Sequence, residues 1–235
     1  MGDTEKLDLA VVGKGFAPCL MALALLAARP RLKLLVLTLD REVGGRHFEL
    51  VLPERLPAIA MGLLDSAVVR EWPGFLVNRA GTTEYCAERV ALLDPVQLWL
   101  ELRERVDDAR LIVACGGVEW DGSWLSWEDG DARVAELVDL RALAFPERQS
   151  DIVAAGALAD LQHPVLADFD AAGEAWHYLQ YIPLGADRVA IERVAGSSIH
   201  PLLAGNDPAE LPTVKAMAKL CELCAEVLGR IAPTA

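Results

Sequence analysis

Two glycines near the start of the chain have the spacing of a phosphate-binding turn. Gly13 and Gly15 come directly after a short apolar run and lead into a longer apolar segment. In such a turn, the first glycine permits a tight bend, and the second lets backbone N–H groups approach a pyrophosphate at the N-terminus of the next helix. Phe16 and Ala17 complete the turn. We therefore predict that Gly13, Gly15, Phe16 and Ala17 line a dinucleotide-binding site.

Two further positions depart from the usual pattern of such a site. Pro18 stands where a third glycine would let the helix pack closely against the strand, and Thr38 ends the second strand where an acid would bind a ribose hydroxyl. Proline is tolerated in the first turn of a helix, because its missing N–H would have no intrahelical partner there. Two interpretations stay open: a site in which Thr38 contacts the cofactor, and a Rossmann-type core that holds no dinucleotide.

A second glycine-rich turn, Gly44-Gly45-Arg46-His47, follows shortly after Thr38. Two consecutive glycines leave the backbone free to pass close to a ligand, and Arg46 and His47 carry groups that bind phosphate or a substrate. We therefore add Gly44, Gly45 and Arg46 to the candidate cofactor site and His47 to the candidate catalytic residues. The alternative is an ordinary surface turn.

The hydrophobic pattern predicts the elements that position these residues. Residues 8–38 are predicted to form a strand, a helix and a strand, the opening β-α-β unit of a dinucleotide-binding fold. Two Asp-Gly turns predict a small antiparallel β-meander across 110–140. Its last part, 134–140, is expected to return to the main sheet and to place Asp139 at the end of that strand.

The second half of the chain carries two further predicted elements. Residues 176–182 and 188–194 alternate around a turn and predict a hairpin with Glu192 in its second strand. Residues 211–231 have the spacing of a long amphipathic helix that closes the chain. Residues 52–84 carry scattered prolines and are predicted to be irregular, and 147–151 is predicted to be a polar break between elements.

Composition and charge exclude several classes of function. The formal net charge of −13 argues against binding to nucleic acid or to anionic membrane surfaces, which attract basic patches. Although 53% of the residues are hydrophobic, no run of about 18 uncharged apolar residues occurs, so we predict no membrane-spanning helix. Acidic residues near the N-terminus do not fit a secretory signal. We therefore expect a cytoplasmic protein.

Cys221 and Cys224 are the residues whose spacing could suggest a metal or redox pair. Because no second pair of ligands accompanies them, we predict two core cysteines and no metal site.

The order of these pieces resembles bacterial lycopene β-cyclases, of the flavoprotein superfamily that also includes hydroxylases and geranylgeranyl reductases. The resemblance rests on landmarks spread over most of the chain. They are Asp8-Leu-Ala-Val-Val-Gly13-Lys-Gly15, Gly44-Gly45-Arg46-His47-Phe48, Trp72-Pro73-Gly74-Phe75, Asp139-Leu-Arg141, His163-Pro-Val-Leu-Ala-Asp168, Ala190-Ile191-Glu192-Arg193, His200-Pro201 and the helix after Leu211-Pro212.

The resemblance implies a Rossmann-like FAD-binding fold of the glutathione-reductase type, with a β-meander, a reduced antiparallel substrate sheet and a closing C-terminal helix. It implies FAD as the cofactor, with Asp139 in the cofactor site. It implies that Glu192 protonates an apolar polyene during cyclisation, near His47 and His200. The domain expected is a single one, with a cofactor core of 6–50, 95–145 and 197–235 and a substrate side of 51–94 and 151–196.

The chain also departs from the family, and three hypotheses follow. Arg193 replaces the family's second acid, no glycine follows Arg141, and we expect the protein to lack the family's C-terminal helical extension. Because adjacent strand residues face opposite sides of a sheet, Arg193 need not face Glu192. The first hypothesis is a small flavoenzyme that cyclises, isomerises or oxidises an apolar substrate. The second is a cofactor-free binding or partner subunit in a biosynthetic pathway, and the partner expected is a second copy of the chain or a protein of that pathway. The third is an enzyme without flavin.

Overall fold

The computed structural model describes residues 6–39, 47–56, 62, 64–107, 110–114, 117–143, 146, 148–158, 160–171, 177–195 and 212–231. These residues form a mixed α/β structure with several sheets and a C-terminal helix. The α-helices are α1 Ala17–Ala28, α2 Pro95–Arg105 and α3 Pro212–Ile231. The strands are β1 Leu7–Gly13, β2 Leu34–Thr38, β3 Glu49–Val51, β4 Val68–Trp72, β5 Phe75–Arg79, β6 Thr82–Cys86, β7 Val90–Leu93, β8 Leu111–Val113, β9 Glu119–Trp120, β10 Trp124–Trp127, β11 Gly130–Asp139, β12 Arg148–Ala154, β13 Val165–Asp168, β14 Tyr178–Pro183 and β15 Arg188–Val194.

The first sheet contains the predicted β-α-β unit. Its strand order is β8-β2-β1-β11-β10-β9, and β8, β2, β1 and β11 run parallel. In the register of these strands, Gly13 lies opposite Thr38, and Val12 lies opposite Asp139. The carboxyl ends of β1, β2 and β11 therefore meet at one edge of the sheet. Both the β-α-β unit and the return of 134–140 to the main sheet are confirmed.

Helix α1 is apolar all round because it is enclosed all round. Every side chain from Ala17 to Leu26 is buried, between the first sheet and helices α2 and α3. This layer forms the largest core cluster. A second cluster, around Ala10 and Leu35, lies on the opposite face of the same sheet. The two faces of the parallel strands are thus both covered, as their continuous apolar sequences require.

The β-meander is shorter than predicted. Strands β9, β10 and β11 pair antiparallel in sequence order and confirm the hairpins around the Asp-Gly turns. Residues 111–113 instead form β8, which pairs parallel with β2 at the edge of the first sheet. The prediction of a meander from residue 110 is therefore wrong at its start, because β8 is used to extend the parallel sheet beyond β2.

Two further sheets face each other on the other side of the molecule. One has the order β12-β15-β14-β13-β5-β6 and is antiparallel except where β13 pairs with β5, and the other has the order β3-β7-β4. A third apolar cluster, including Trp72, Phe75 and Tyr178, lies between them. The hairpin predicted over 176–194 is confirmed as β14 and β15, and the predicted closing helix is confirmed as α3.

Two of the predicted irregular segments are strands. Residues 68–86 contribute β4, β5 and β6, although 52–84 was expected to be irregular. Residues 148–154 form β12, which pairs with β15 over its whole length, although 147–151 was expected to be a polar break. The sequence of β12 does not show the apolar–polar alternation of a strand, because one face of this edge strand is exposed and the other face carries the charged side chain of Arg148. Among the residues that the structure describes, no helix is long and apolar enough to cross a membrane.

Candidate functional site

The ends of β1, β2 and β11 bring Gly13, Thr38 and Asp139 together, and we call these three residues with Gly15 the strand-end cluster. Gly13 has no room for a side chain. A Cβ atom there would lie 2.9 Å from Cβ of Leu140 and 3.0 Å from Cγ of Pro18. The ring of Pro18 thus packs against the first glycine, in the first turn of α1, where the sequence predicted that a proline would be tolerated.

Gly15 is constrained by its backbone and not by its neighbours. Its φ of +62° is in the left-handed region, which glycine adopts without a steric cost. A Cβ atom there would meet no atom of the described residues within 4 Å. Phe16 forms the N-cap of α1, and the side chains of Phe16 and Ala17 are buried in the core. The space beside the turn therefore opens at Gly15.

Thr38 carries a buried hydroxyl with an unused hydrogen-bonding capacity. The residue is 2% exposed, and its Oγ1 atom has no hydrogen-bond partner within the described part of the chain. A buried hydroxyl without a partner costs free energy, typically about 1–3 kcal/mol. In this fold an acidic residue at the position of Thr38 would bind a ribose hydroxyl. The Oγ1 atom of Thr38 therefore takes the place of that carboxylate.

Asp139 is engaged by a residue close to it in sequence. The side chain of Arg141 donates to both carboxylate oxygens, with distances from Nε of 2.9 and 3.0 Å, and its Nη2 lies 2.6 Å from Oδ2. Nη1 of Arg141 also donates to the carbonyl oxygen of Val118 at 2.7 Å. The hydrogen bonds from Arg141 hold the pKa of Asp139 below its ordinary value. A ligand that binds Asp139 must therefore compete with Arg141.

A second group of polar residues lies around Glu192, and we call it the carboxylate cluster. Glu192 is fully buried on β15. Its Oε1 atom accepts a hydrogen bond from Oγ of Ser150 at 2.6 Å, across the β12–β15 register, and its Oε2 atom lies 3.1 Å from Nδ1 of His47. The His47 side chain is 25% exposed, whereas the Glu192 side chain is not exposed at all.

A buried ion pair completes the carboxylate cluster. Glu49 on β3 and Arg148 on β12 form a salt bridge with both side chains almost fully buried, and Arg148 also donates to the carbonyl oxygen of Phe48 at 3.3 Å. Burial raises the pKa of Glu49, and Arg148 only partly opposes that effect, while Glu192 adds to it. The cluster thus joins two sheets through charged groups that have little access to water.

Arg193 does not belong to the carboxylate cluster. It follows Glu192 in β15, so its side chain faces the other side of the sheet, where it pairs with Asp151 of β12 near the surface. The substitution of the family's second acid by arginine therefore places no cation beside Glu192. Among the described residues, Arg148 of the neighbouring strand is a cation that interacts with Glu192.

The structure brings together some of the predicted site residues and leaves others undescribed. Gly13, Thr38 and Asp139 meet at the strand-end cluster, and His47 contacts Glu192. The predicted cofactor residues Gly44, Gly45 and Arg46 and the predicted catalytic residue His200 lie outside the described residues. Sequence reasoning missed three members of the carboxylate cluster, which are Glu49, Arg148 and Ser150. The available signal was the period-two spacing of Arg148 and Ser150, which places both side chains on one side of the sheet, while Gln149 and Asp151 lie exposed on the other side.

No protein-family model and no curated protein matches the sequence. Solved structures do match the fold. A probable FAD-dependent monooxygenase from Pseudomonas aeruginosa has 17% sequence identity and a TM-score of 0.52, over 81% of this chain and 61% of that protein. A tryptophan 6-halogenase from Streptomyces toxytricini has 12% identity and a TM-score of 0.54, over 88% and 61% of the two chains.

A tetrameric form of 2-methyl-3-hydroxypyridine-5-carboxylic acid oxygenase has 12% identity and a TM-score of 0.53, over 96% of this chain and 68% of that one. The chain has the fold of FAD-dependent monooxygenases. It spans less than two thirds of the length of the Pseudomonas monooxygenase and of the halogenase. These structures support the fold predicted from the sequence, and the resemblance to lycopene cyclases stays a prediction.

Proposed function

We propose that this chain is a flavoprotein that binds FAD at the strand-end cluster and catalyses an oxidoreduction. The observation that carries the proposal is the pair formed by Gly15 and Thr38. The turn is open at Gly15, and the buried hydroxyl of Thr38 has no partner among the described residues at the neighbouring strand end. An unsatisfied polar atom beside an open glycine turn is what a nucleotide site contains when its ligand is removed.

The residues of the strand-end cluster fit this cofactor in distinct ways. Gly13 and Gly15 would bring the backbone close to the pyrophosphate, and Thr38 would hydrogen-bond a ribose hydroxyl in place of the usual acid. When bound, FAD would supply a flavin ring that accepts or donates electrons. In this proposal the segments 6–50, 95–145 and 197–235 form the cofactor side, and 51–94 and 151–196 form the substrate side.

Acid-assisted cyclisation of an apolar substrate, as the resemblance to lycopene cyclases implies, is the more specific form of this proposal. It requires Glu192 to reach the substrate directly. The carboxylate cluster supports that role weakly, because both oxygens of Glu192 are used by Ser150 and His47 and the side chain is fully buried. Oxidoreduction in which His47 contacts the substrate needs no such movement of Glu192.

A cofactor-free binding or partner subunit is the second candidate function. The observation that favours it is the ion pair between Arg141 and Asp139, which occupies a carboxylate that the resemblance assigns to the cofactor site. Pro18 favours it as well, since a proline removes one N–H donor from the first turn of α1.

Titration of the purified protein with FAD distinguishes the two candidates. We expect flavin absorbance to co-elute with the protein and the melting temperature to rise with FAD concentration. In the Thr38→Val variant, FAD binding should weaken about tenfold because one hydrogen bond is lost. The same variant should unfold at higher urea concentration than the wild type without FAD, since an unpaired buried hydroxyl is removed. Thr83→Val is the matched control, because the Thr83 hydroxyl already has Asn78 as its partner.

The same titration with FAD can also contradict the flavoprotein proposal. If the wild type shows no co-eluting flavin and no thermal shift with excess FAD, the cofactor-free function is supported. If FAD binds equally well to the wild type and to Thr38→Val, the protein is a flavoprotein in which Thr38 does not contact the cofactor.

A further inference from the structure

Both carboxylate oxygens of Glu192 are in contact with a polar side chain. Oε1 lies within hydrogen-bonding distance of Oγ of Ser150, and Oε2 lies within hydrogen-bonding distance of Nδ1 of His47. The side chain is fully buried on β15. A buried carboxylate with both oxygens engaged is suited to orienting a neighbouring side chain.

The neighbour that it holds is His47. A carboxylate only accepts hydrogen bonds, so the imidazole nitrogen that faces Glu192 must carry the proton. This assigns N–H to Nδ1 and leaves Nε2 with a free lone pair. The His47 side chain is 25% exposed while Glu192 is not exposed, so the ring joins a buried carboxylate to a partly exposed position. A buried carboxylate and a partly exposed imidazole that it orients are the parts of a general base.

Glu192 also has a cation nearby, because Arg148 is in electrostatic contact with both Glu49 and Glu192. Glu192 is the carboxylate whose Oε2 atom lies beside the imidazole, at 3.1 Å from Nδ1, and Ser150 holds its other oxygen. The carboxylate is therefore fixed at both ends and is placed to hold the ring in one orientation.

We propose that Nε2 of His47 removes a proton from the substrate and that Glu192 and Ser150 position the ring. In this step the X–H bond of the substrate breaks, its electron pair stays on X, and a new N–H bond forms at Nε2. The proton later leaves to solvent through the exposed side of the ring. The substrate must then carry an O–H, N–H or acidic C–H group, which distinguishes it from a hydrocarbon polyene. This inference deepens the proposed enzymatic function and rests on it.

Nitrogen-15 NMR of selectively labelled histidine tests the inference without substrate or FAD. The chain has four histidines, so His47→Gln assigns the signal of His47. At a pH where the ring is neutral, we expect Nδ1 to be protonated and Nε2 to be unprotonated. In Glu192→Met the preference for this tautomer should be lost, because its acceptor is gone. Gln180→Met is the matched control: Gln180 is equally buried and lies opposite Glu192 on β14, and its amide donates to Leu166 instead of His47.

Reaction with diethyl pyrocarbonate provides a second measurement, because this reagent attacks an unprotonated imidazole nitrogen. We expect His47 to be modified in the wild type and several-fold more slowly in Glu192→Met, with the rates at His163 and His177 unchanged. A wild-type ring protonated at Nε2, or an unchanged tautomer and rate in Glu192→Met, would overturn the inference. Both measurements are independent of flavin, so a failure of FAD binding is recognised separately by the titration with FAD.

Discussion

At the scale of single residues, the two glycines of the first turn are required for different reasons. Gly13 is required by packing, because Leu140 and the ring of Pro18 occupy the space of a side chain. Gly15 is favoured by its left-handed backbone, and a Cβ atom there would meet no atom of the described residues within 4 Å. The sequence shows both positions as glycine and does not distinguish these reasons. The difference matters for function, since Gly15, unlike Gly13, has room beside it among the described residues.

Substitutions at the two glycines test the packing around Gly13 separately from the backbone conformation of Gly15. Gly13→Ala should lower the free energy of unfolding by about 1–3 kcal/mol, because the new methyl group overlaps Leu140 and Pro18. Gly15→Asn should change it little, because asparagine tolerates the left-handed region and its side chain enters open space. Urea denaturation followed by circular dichroism measures both variants. Equal urea midpoints for Gly13→Ala and the wild type would contradict the packing described here.

At the scale of elements, strand β12 connects the two sheets that face each other. Its Arg148 reaches Glu49 of β3, and its Ser150 reaches Glu192 of β15. The same strand also carries Asp151, which pairs with Arg193 on the opposite, more exposed face of the sheet. One short strand therefore contains a buried and an exposed ion pair, which have different energetic consequences.

Removal of one partner from each ion pair tests this difference. Arg148→Met should cost about 3–5 kcal/mol of unfolding free energy, because Glu49 is left buried without a counter-charge. The double variant Glu49→Leu with Arg148→Met should recover most of that loss, since no unpaired charge remains. Arg193→Met is the exposed control and should cost less than about 1 kcal/mol. Urea denaturation of the wild type, the single variants Glu49→Leu and Arg148→Met and the double variant gives the cycle, and strictly additive losses in the double variant would exclude the direct pairing of Glu49 with Arg148.

At the scale of the whole molecule, helix α3 closes the largest core. It packs against α1, and its Cys221 and Cys224 side chains are buried there. Burial raises the pKa of Cys221 to about 11 and that of Cys224 to about 12. Both thiols are therefore protonated and inaccessible, as expected from their prediction as core cysteines. Their reactivity reports whether α3 stays packed against the rest of the molecule.

Labelling with iodoacetamide measures the packing of α3. In the native protein at neutral pH, Cys221 and Cys224 should remain unlabelled, because the thiolate is the reactive form and neither side chain reaches solvent. Cys86 is partly exposed and serves as the internal control, which should be labelled slowly under native conditions because burial and the nearby Glu84 and Glu88 raise the pKa of its thiol. Labelling of Cys221 and Cys224 should appear only across the urea unfolding transition, as followed by peptide mass spectrometry. Rapid labelling without urea would show that α3 separates from the core.

Much of the first sheet could be predicted from local sequence. The β-α-β unit follows from apolar runs separated by a glycine turn, and the hairpins follow from Asp-Gly turns, all of which depend on neighbours in sequence. The start of α2 is another such feature, because Asp94 precedes Pro95 and its side chain accepts a hydrogen bond from the backbone N–H of Val96 at 3.0 Å. Each of these features depends only on residues that are close together in sequence, so it can be predicted without knowledge of the tertiary structure.

The sequence by itself determined the opening of the fold, the position of Glu192 in a hairpin and the identity of the glycine turn. Only the tertiary structure decided what surrounds Glu192. Ser150 and His47 are 42 and 145 residues from it, and Arg148 is 99 residues from Glu49. No local pattern encodes such pairs, because a buried charge is stable only where a distant partner reaches it. For that reason β12 resembled a polar break in sequence and is a strand of the folded protein.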